Sequence, residues 1–525
     1  MRARFLVAVL AVAFGWAQAA APKSTADHTK FEQLKKTFAD GPAVTNACLE
    51  CHTEAAKQVQ KTSHWTWEFL NPENKQRLGK KNVINNYCTA VPSNYGFCTA
   101  CHAGYNWKDA NYDFTNESNV DCLVCHDTTG TYKKLPGLAG HPAYKEMEYP
   151  PKSGKKVPGV DLNKVSQNVG KTSRDTCGAC HFNAGGGDAV KHGDLDTTLA
   201  KPGKHLDVHM DAAGLNFSCG TCHMAQGHEV PGSRYAPTAV DKGGAHIRGM
   251  PDKTGKANVA TCQACHGQAP HEKADVAAKL NEHTKKVACQ TCHIPEFARG
   301  QATKMLWDWS TAGKVAKDGK RLQIKDPAGR VVYDSFKGDA VWESHVKPTY
   351  VWFNGKVDYT LLGTPINPKG VTPINRFNGS PRDGRIWPVK RFRGKQPYDL
   401  ESKSLVVPHT AGPDDAAYWG NYDWLKAIEV GMKTVGAPFS GKYGFAETEM
   451  LWPITHMVAP KDDALSCAQC HSRNGRLQGI DGVYLPGRDR IAWLDALGFG
   501  IAALALLGVL GHGAMRYRSS RRNAK

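Results

Sequence analysis

Two long apolar stretches lie near the ends of the chain, and polar residues are interspersed almost everywhere between them. The first, Phe5 to Trp16, follows Arg2 and Arg4 and precedes Ala17-Gln18-Ala19. A basic start, a short apolar segment and small residues at a cleavage point are typical of a secretory signal peptide. We therefore expect residues 1–19 to be a signal peptide, with an uncleaved N-terminal anchor as the alternative.

The second apolar stretch runs from Ala496 to Met515 and has one strongly polar member, His512. Its 20 residues are enough for a helix to cross a membrane. A buried helix of a soluble domain would need a polar face, which this stretch lacks. Five basic residues and no acidic one follow it, and such an excess marks the cytoplasmic side.

The two ends together predict a topology. Residues 496–515 would form a transmembrane anchor, and residues 516–525 a basic cytoplasmic tail. The rest of the mature chain would lie on the periplasmic side of the bacterial cytoplasmic membrane, held by a C-terminal tail anchor.

Between the two ends, hydrophobic periodicity defines few elements. Val331-Val332-Tyr333 and Tyr350-Val351-Trp352-Phe353 have the β-branched and aromatic residues that favour strands. We expect a short hairpin or two there and a helix from Tyr418 to Val430. Elsewhere short helices and Gly- and Pro-rich intervals predict a mainly α fold with extensive irregular loops.

The composition is too polar for a conventional core of this size. Hydrophobic residues make up 41% of the 525 residues, and the mean hydropathy is −0.47. A large chain normally buries a large apolar interior. A group other than aliphatic side chains must therefore fill part of the interior.

Sixteen of the 17 cysteines occur in eight Cys-x-x-Cys-His motifs. Chance would give roughly 0.02 such motifs, and the pattern is that of covalent c-type haem attachment. The motifs are Cys48/Cys51/His52, Cys98/Cys101/His102, Cys122/Cys125/His126, Cys177/Cys180/His181, Cys219/Cys222/His223, Cys262/Cys265/His266, Cys289/Cys292/His293 and Cys467/Cys470/His471.

The chemistry of haem attachment accounts for this spacing. Two thiols three positions apart reach the two vinyl groups of one porphyrin, and the adjacent histidine binds the iron. Zinc sites pair two Cys-x-x-Cys units without an obligatory histidine after each, and disulfide scaffolds belong to much smaller chains. The sequence thus predicts eight covalently bound haem c groups that form the core of the fold.

The motifs are unevenly distributed along the chain. Seven fall in residues 20–300, and none falls in residues 301–460. We expect this second region to cover the haems and to supply distal ligands. Residues 461–490 would carry the eighth haem and a linker to the anchor.

Fourteen histidines lie outside the motifs and are candidates for the sixth iron positions. Most haems are expected to have two histidine ligands, which closes the iron to substrate and suits electron transfer. An enzyme needs at least one haem that is open or carries a displaceable ligand. The best candidates for distal ligands, by position, are His64, His209, His283 and His456.

The formal charge of +18 has a partly internal explanation. Eight haems bring propionate groups that basic side chains would neutralise. Nothing in the sequence resembles a nucleic-acid-binding fold, so no nucleic acid is expected as a partner. The remaining positive charge favours a small anionic substrate by electrostatic steering.

Four stretches carry a resemblance to a known family. They are Gly79 to Cys88 (GKKNVINNYC), Cys122 to Lys134 (CLVCHDTTGTYKK), Cys177 to Asp196 (CGACHFNAGGGDAVKHGDLD) and Cys289 to Gly313 (CQTCHIPEFARGQATKMLWDWSTAG). In these stretches the chain resembles the octahaem tetrathionate reductase family of c-type cytochromes. The anchor after residue 490 departs from soluble members of that family and puts the electron donor in doubt.

The resemblance implies a catalytic second haem with a lysine as sixth ligand and a free cysteine beside it. It also implies reduction of tetrathionate to thiosulfate, with nitrite and hydroxylamine as side substrates. Cys88 is the single cysteine outside the motifs, ten residues before Cys98, and either engages a sulfur–sulfur bond or packs as a buried thiol. A depressed thiol pKa, supplied by Lys80 or Lys81, would favour the first role.

The other catalytic candidates follow from position. Asn85 would orient the substrate. Spacing does not identify the ligating lysine, and Lys171, Lys191 and Lys133 are the candidates, in that order. Ligation requires a neutral amine, which burial beside iron would favour.

These observations leave three functions open. The first is a periplasmic haem-dependent reductase of tetrathionate or a related sulfur or nitrogen species. The second is a membrane-tethered electron-transfer cytochrome without its own substrate. The third is a hydroxylamine-oxidising enzyme. For all three, the redox partner would be a membrane quinol-linked or a periplasmic electron carrier.

The motif count generates a first prediction. Because each Cys-x-x-Cys-His motif binds one haem, the pyridine haemochrome assay should return about eight haems per polypeptide. A value near five would show that some motifs are not used.

Overall fold

The computed structural model describes residues 24–151, 153–240, 260–272 and 275–523. The predicted signal peptide, residues 1–19, lies outside the described residues, as do the last two residues of the predicted tail. The helices of the described residues are mostly one or two turns long. They are Gly41–Leu49, Ala55–Gln60, Ser63–Thr66, Tyr95–Cys98, Leu123–His126, Leu162–Gln167, Arg174–His181, Cys219–Cys222, Gln263–His266, Ala277–His283, Cys289–His293, Tyr418–Asn421, Trp424–Thr434, Cys467–Cys470 and Ala492–Arg522.

All eight haem motifs lie in or directly beside one of these short helices. Isolated helices of this length are unstable, because nucleation costs more than a single turn of hydrogen bonds returns. Local caps help to fix several of them, such as the serine N-caps Ser173, Ser218 and Ser466, each with a reciprocal bond three residues on. The remaining stabilisation must come from tertiary packing and from the group attached to the cysteines.

Most of the extended chain lies in residues 301–460, which were expected to cover the haems. The strands of the described residues are Phe69–Leu70, Arg77–Leu78, Met147–Glu148, Lys156–Val157, Thr303–Asp308, Gln323–Lys325, Val331–Asp334, Gly338–Glu343, Thr349–Phe353, Lys356–Tyr359, Thr372–Pro373, Asn375–Asn378, Arg385–Asp399 and Tyr443–Pro453. Eight of them form one mixed sheet.

Two long antiparallel strands are the centre of this sheet. Arg385–Asp399 and Tyr443–Pro453 pair along eleven positions, from Val389 opposite Pro453 to Asp399 opposite Tyr443. Thr303–Asp308 joins the other side of Arg385–Asp399 in parallel and continues the sheet through Gly338–Glu343.

The expectation of a mainly α fold is not confirmed. The predicted strand segments and the helix near Tyr418 are present, but they belong to a larger sheet than the expected hairpins. Its longest strand contains Lys390, Arg391, Arg393 and Lys395, and charged residues are depleted in strands. Burial alternates along this part, with Phe392 inside and the arginines outside, and tertiary pairing prevails over local preference.

The sheet holds the segment before the second motif against its aromatic core. Val83, Ile84 and Tyr87 belong to the same buried cluster as the sheet residues, among them Trp307 and Trp452. The sheet thereby positions the loop that contains Cys88, the cysteine outside the haem motifs.

A close backbone approach fixes this contact. The Asn86 side-chain amide donates a hydrogen bond to the Phe392 carbonyl over 2.8 Å. A Cβ atom at Gly394 would lie 2.9 Å from Asn86 Cβ, so only glycine fits there.

The C-terminal helix, Ala492–Arg522, is long and apolar enough to cross a membrane. It includes the predicted span 496–515 and does not bury its apolar side chains against the rest of the protein. Trp493 and Phe499, for example, are 69% and 77% exposed. An apolar surface of this extent is unstable in water, so the helix is a candidate membrane anchor.

The isolation of this helix generates a second prediction. Truncation after Arg490 should give a protein that no longer partitions into detergent micelles but keeps its haem content and thermal midpoint, because none of the helix is buried in the fold. Phase separation, haemochrome content and thermal unfolding measure these properties. Loss of a haem on truncation would show that the helix contributes to the folded body.

Candidate haem sites and catalytic pocket

Six of the eight motif histidines face a second histidine ring across a gap of constant width. The ring centroids are 6.0–6.4 Å apart: His64 with His181, His228 with His126, His456 with His223, His209 with His266, His271 with His293 and His283 with His471. Metal–imidazole bonds are about 2 Å long, so one iron fits between the two rings of each pair. The residues present therefore fit covalent haem c with two axial histidines.

Hydrogen bonds at Nδ1 orient several of these rings. His126, His223 and His471 each donate from Nδ1 to a backbone carbonyl, of Gly170 (2.8 Å), Pro231 (2.8 Å) and Pro486 (3.1 Å). With Nδ1 occupied, Nε2 carries the lone pair and is free to bind iron.

The attachment cysteines differ in the exposure of their side chains. Cys51, Cys125, Cys222, Cys265 and Cys467 are exposed, and the others are half-buried.

The motif turn itself is formed at both Cys51 and Cys265. The backbone N–H of each donates a hydrogen bond over 3.2 Å to the carbonyl of the first cysteine of its motif, Cys48 or Cys262. Haem attachment at Cys51 and Cys265 therefore stays a prediction.

The structure places all four predicted distal histidines, His64, His209, His283 and His456, opposite a motif histidine. Sequence reasoning did not single out His228 and His271. Each lies five residues after a motif histidine but faces a different motif, a spacing that was a usable signal. Among the described pairs, His456 alone comes from residues 301–460.

The first and second motifs differ from the other six, since no facing imidazole is found for His52 or His102 within the described residues. The His102 ring is enclosed by aromatic side chains, with Trp107, Trp65 and Trp67 at centroid distances of 4.7, 5.0 and 5.4 Å. Its Nε2 lies 2.6 Å from the Trp65 carbonyl, and its Nδ1 is buried without a partner. In the second motif, therefore, the histidine ring turns Nε2 towards a backbone carbonyl and does not face a second imidazole ring.

Neighbouring motifs are close to one another in space. The thiols of Cys101 and Cys180 lie close to each other, which places the second motif beside the fourth. Cys177 and Cys219 join the fourth to the fifth in the same way. This succession gives electrons a short path to the second motif.

Cys88 lies next to this second motif. Asn85 accepts hydrogen bonds through Oδ1 from the backbone N–H groups of Cys88 (2.7 Å) and Tyr87 (3.2 Å), which forms a tight turn. Asn85 is buried, and its amide oxygen is engaged by the backbone. The residue therefore shapes the loop that presents Cys88.

The thiol of Cys88 lies deep in the protein but still borders open space. A Cβ at Gly186, where φ is +90°, would lie 3.7 Å from Cys88 Sγ and 3.3 Å from Lys337 Nζ. Glycine at this position leaves room between the thiol and the ammonium group. Burial raises the pKa of Cys88, against the opposing effect of Lys337, Lys80 and Lys304. This direction is opposite to the depressed pKa expected from the sequence.

Of the three candidate lysines, Lys191 alone lies beside the pocket. Its Nζ is 4.9 Å from the centroid of the Trp452 ring. Burial, then the charges of Arg234 and Lys80, holds the pKa of Lys191 well below its ordinary value, while nearby Cys101 and Cys88 oppose this. Lys171 and Lys133 lie at the surface. A neutral buried amine can bind iron, and Lys191 meets that condition.

Lys304 is a pocket residue that sequence reasoning missed. It is 6% exposed, and its Nζ lies 3.7 Å from the Trp307 ring centroid and 5.0 Å from that of Trp342. Burial, followed by the charge of Lys337, lowers the pKa of Lys304 to about 7. The spacing Lys-x-x-Trp on one strand was the available signal.

The cationic groups around the pocket have no acidic partners. No carboxylate of the described residues lies within ion-pair distance of any of them, although exposed lysines elsewhere form many such pairs. Their shared position leaves a region that attracts anions. They are Lys80, Arg234, Lys304 and Lys337, with the buried Lys390 behind them.

Comparisons with known proteins agree with this arrangement. Residues 304–474 match the family model for bacterial cytochrome c, and residues 47–127 match that for cytochrome c554 and c-prime. The octahaem cytochrome c from Shewanella oneidensis is 41% identical in sequence and superposes with a TM-score of 0.73. The match covers 86% of this chain and 95% of that one. A search of curated proteins gave no match.

The identity and the coverage of this match, together with the six facing histidine pairs, lead to one conclusion. The chain belongs to the octahaem c-type cytochromes.

Proposed function

We propose that this protein is a reductase of small sulfur oxyanions, tetrathionate foremost, with related nitrogen species such as nitrite and hydroxylamine as further substrates. The observation that carries the proposal is the free thiol of Cys88 at the centre of a cationic pocket next to the second motif. Eight bound haems would supply the electrons.

The charges of the pocket suit a dianion. Lys80, Lys304 and Lys337 all act on the Cys88 thiol, and Arg234 acts on the neighbouring Lys191. Buried cations without counter-ions are costly unless an anion compensates them. Tetrathionate, with a sulfonate at each end and the reactive sulfur–sulfur bond in the middle, places its charges on the cations and its centre near Cys88.

The reaction balances without a proton. Two electrons enter the central sulfur–sulfur bond, the bond breaks, and each half leaves as thiosulfate. Because Cys88 is neutral in the resting pocket, its S–H donates a hydrogen bond to the sulfur on which negative charge develops. The lysine ammonium groups stabilise the same charge. In this proposal Cys88 acts as a hydrogen-bond donor, and not as the thiolate that a depressed pKa would have produced.

Lys191 would supply an axial ligand at the second motif. It combines a suppressed pKa with a location near both Cys101 and Cys88. The turned ring of His102 leaves this motif without the facing imidazole pair that six others have. A displaceable ligand at this motif would leave the haem open to substrate, whereas two histidine ligands would close it.

A pure electron-transfer cytochrome is the competing function, and the six histidine pairs favour it for their own haems. It leaves the Cys88 thiol and the unpaired cations without a role. Oxidation of hydroxylamine would use the same pocket in the opposite direction.

We further propose that the protein works on the periplasmic side of the cytoplasmic membrane. The apolar helix Ala492–Arg522 would hold it there as a tail anchor. Electrons would come from a membrane quinol-linked or a periplasmic donor.

The role of Cys88 gives a third prediction. Cys88→Ala should leave the visible spectrum and haem content unchanged, because Cys88 attaches no haem. Tetrathionate turnover with a viologen donor should fall more than about tenfold, which corresponds to roughly 1.4 kcal/mol of lost transition-state stabilisation.

Cys88→Ser is the matched variant, since it keeps a donor of similar size and should retain more activity than the alanine variant. Nitrite turnover serves as the internal control and should decline less. Unchanged tetrathionate turnover in both variants would assign Cys88 to packing alone.

The titration of Lys304 gives a fourth prediction. The side chain is an ammonium below pH of about 7 and a neutral amine above it, so the pocket loses one cation as the pH rises through this value. The KM for tetrathionate should therefore increase from pH 6 to pH 8.

Lys304→Arg should remove most of that pH dependence, because guanidinium stays protonated. Lys304→Gln should raise KM at pH 6 towards the value at pH 8. Lys317→Gln, at an exposed lysine of the same region, is the control and should change neither. An identical pH profile in the wild type and in Lys304→Gln would contradict this assignment.

A further inference from the structure

The hydrogen-bond acceptors at Nδ1 of the paired histidines are either neutral or negatively charged. Most are neutral. Backbone carbonyls serve His126, His223 and His471, and side-chain amide oxygens serve two distal histidines. Those amides are Gln58 for His228, at 2.8 Å, and Asn281 for His271, at 3.0 Å.

His456 is the exception among the described pairs. Its Nδ1 lies 3.0 Å from Oδ2 of Asp194, a carboxylate that is 1% exposed. The hydroxyl of Thr455 is a second and more distant acceptor, at 3.2 Å.

Asp194 accepts two further hydrogen bonds from the backbone. Oδ2 also accepts the backbone N–H groups of Thr455 (2.8 Å) and His456 (3.0 Å). Hydrogen bonds donated to a carboxylate stabilise its charge. The other oxygen, Oδ1, is buried without a partner, so all three protein donors converge on one oxygen atom.

Asp207 is a useful contrast. It is also buried and also accepts backbone N–H groups beside a distal histidine, in this case His209. The distance from His209 Nδ1 to Asp207 Oδ1 is 3.9 Å, however, which is beyond a hydrogen bond. A carboxylate near a ligand is therefore not enough, and the contact with Nδ1 is what sets Asp194 apart.

An anionic acceptor at Nδ1 changes the ligand at the other nitrogen. It draws the Nδ1 proton towards itself, so the ring gains imidazolate character and Nε2 becomes a stronger electron donor. Stronger donation stabilises oxidised iron, and second-sphere hydrogen bonding of this kind is one of the means by which a protein adjusts a haem potential.

We propose that Asp194 is a redox-tuning residue that makes the haem of the fifth motif, between His223 and His456, more strongly reducing than it would be with a neutral acceptor. The role is positional and electrostatic, since Asp194 acts through His456 and not on any substrate. It is independent of which substrate the Cys88 pocket takes.

The position of the fifth motif relates a lower haem potential to the direction of electron flow. The fifth motif adjoins the fourth through Cys219 and Cys177, and the fourth adjoins the second through Cys180 and Cys101. A haem that gives up its electron readily at this point favours electron flow towards the fourth and second motifs.

The test is a spectroelectrochemical titration of the full-length holoprotein. Asp194→Asn keeps the shape of the acceptor and removes its charge. About one eighth of the absorbance change should move to a more positive potential, and one low-spin ferric signal in the electron paramagnetic resonance spectrum should shift with it. Asp207→Asn is the comparison variant: it removes a second buried charge that acts on His456 without a hydrogen bond to its ring, and it should shift the titration curve by less. Equal shifts in the two variants would assign the effect to buried charge alone and overturn the role of the hydrogen bond.

A second variant tests the same hydrogen bond without touching the carboxylate. Thr455→Val removes the competing acceptor, so His456 should donate to Asp194 alone and the same fraction should move to a more negative potential. A positive shift in Thr455→Val would show that the hydroxyl is the true acceptor and would overturn the proposal. An unchanged titration in a fully haem-loaded Asp194→Asn would overturn it as well.

Discussion

The fixed separation of two imidazole rings is the constraint on which the rest of the structure depends. Six pairs hold their centroids within 6.0–6.4 Å, although their members come from positions up to 233 residues apart in the chain, as in His223 and His456. Each pair must be brought to that distance by the polypeptide around it. The motif ring of each pair lies in a short helix or directly after one. The other ring lies in a short helix, as for His64 and His283, or in a loop or turn.

This constraint explains how a chain of such low apolar content folds. The motif helices are too short to persist alone, and many Gly- and Pro-rich segments between them have no regular structure. A flat porphyrin bonded to two cysteines and an iron bonded to two histidines supply the contacts that aliphatic side chains supply elsewhere. Metal and cofactor binding of this kind contributes directly to folding.

The sheet contributes what haems cannot, namely a rigid support for polar groups at fixed positions. Its strands carry Lys304 and Lys390, and the strand Tyr443–Pro453 ends just before His456. Its aromatic core holds the loop of Asn85 and Cys88 against the second motif. The region without haem motifs thus positions the pocket and also one of the six distal ligands.

The sequence made the attachment sites predictable because each is local, with two thiols and a histidine inside five residues. Distal ligands are less accessible to such reasoning, since His228 and His271 face motifs that are not the ones they follow. The sequence did not predict the large sheet, because its longest strand contains six charged residues, whose placement depends on neighbouring strands. The sequence also did not predict which side chains are buried. It depends on tertiary packing, which separates Lys191 from Lys171 and Lys133 and leaves Cys51 and Cys265 at the surface.

Burial also links the separate properties of the pocket. Removing cations from water without acidic partners leaves two outcomes, deprotonation or compensation by an anion. Burial favours the first outcome for Lys191, and a neutral amine is the form that could bind iron. Lys304, whose pKa is lowered to about 7, combines the two outcomes. An anion that binds beside it would favour the protonated side chain, and the resulting ammonium group would hold the anion. The same burial keeps the Cys88 thiol protonated until charge develops beside it. A single physical cause, the burial of cations that have no carboxylate of the described residues within ion-pair distance, would thus produce an iron ligand, an anion site and a hydrogen-bond donor close together.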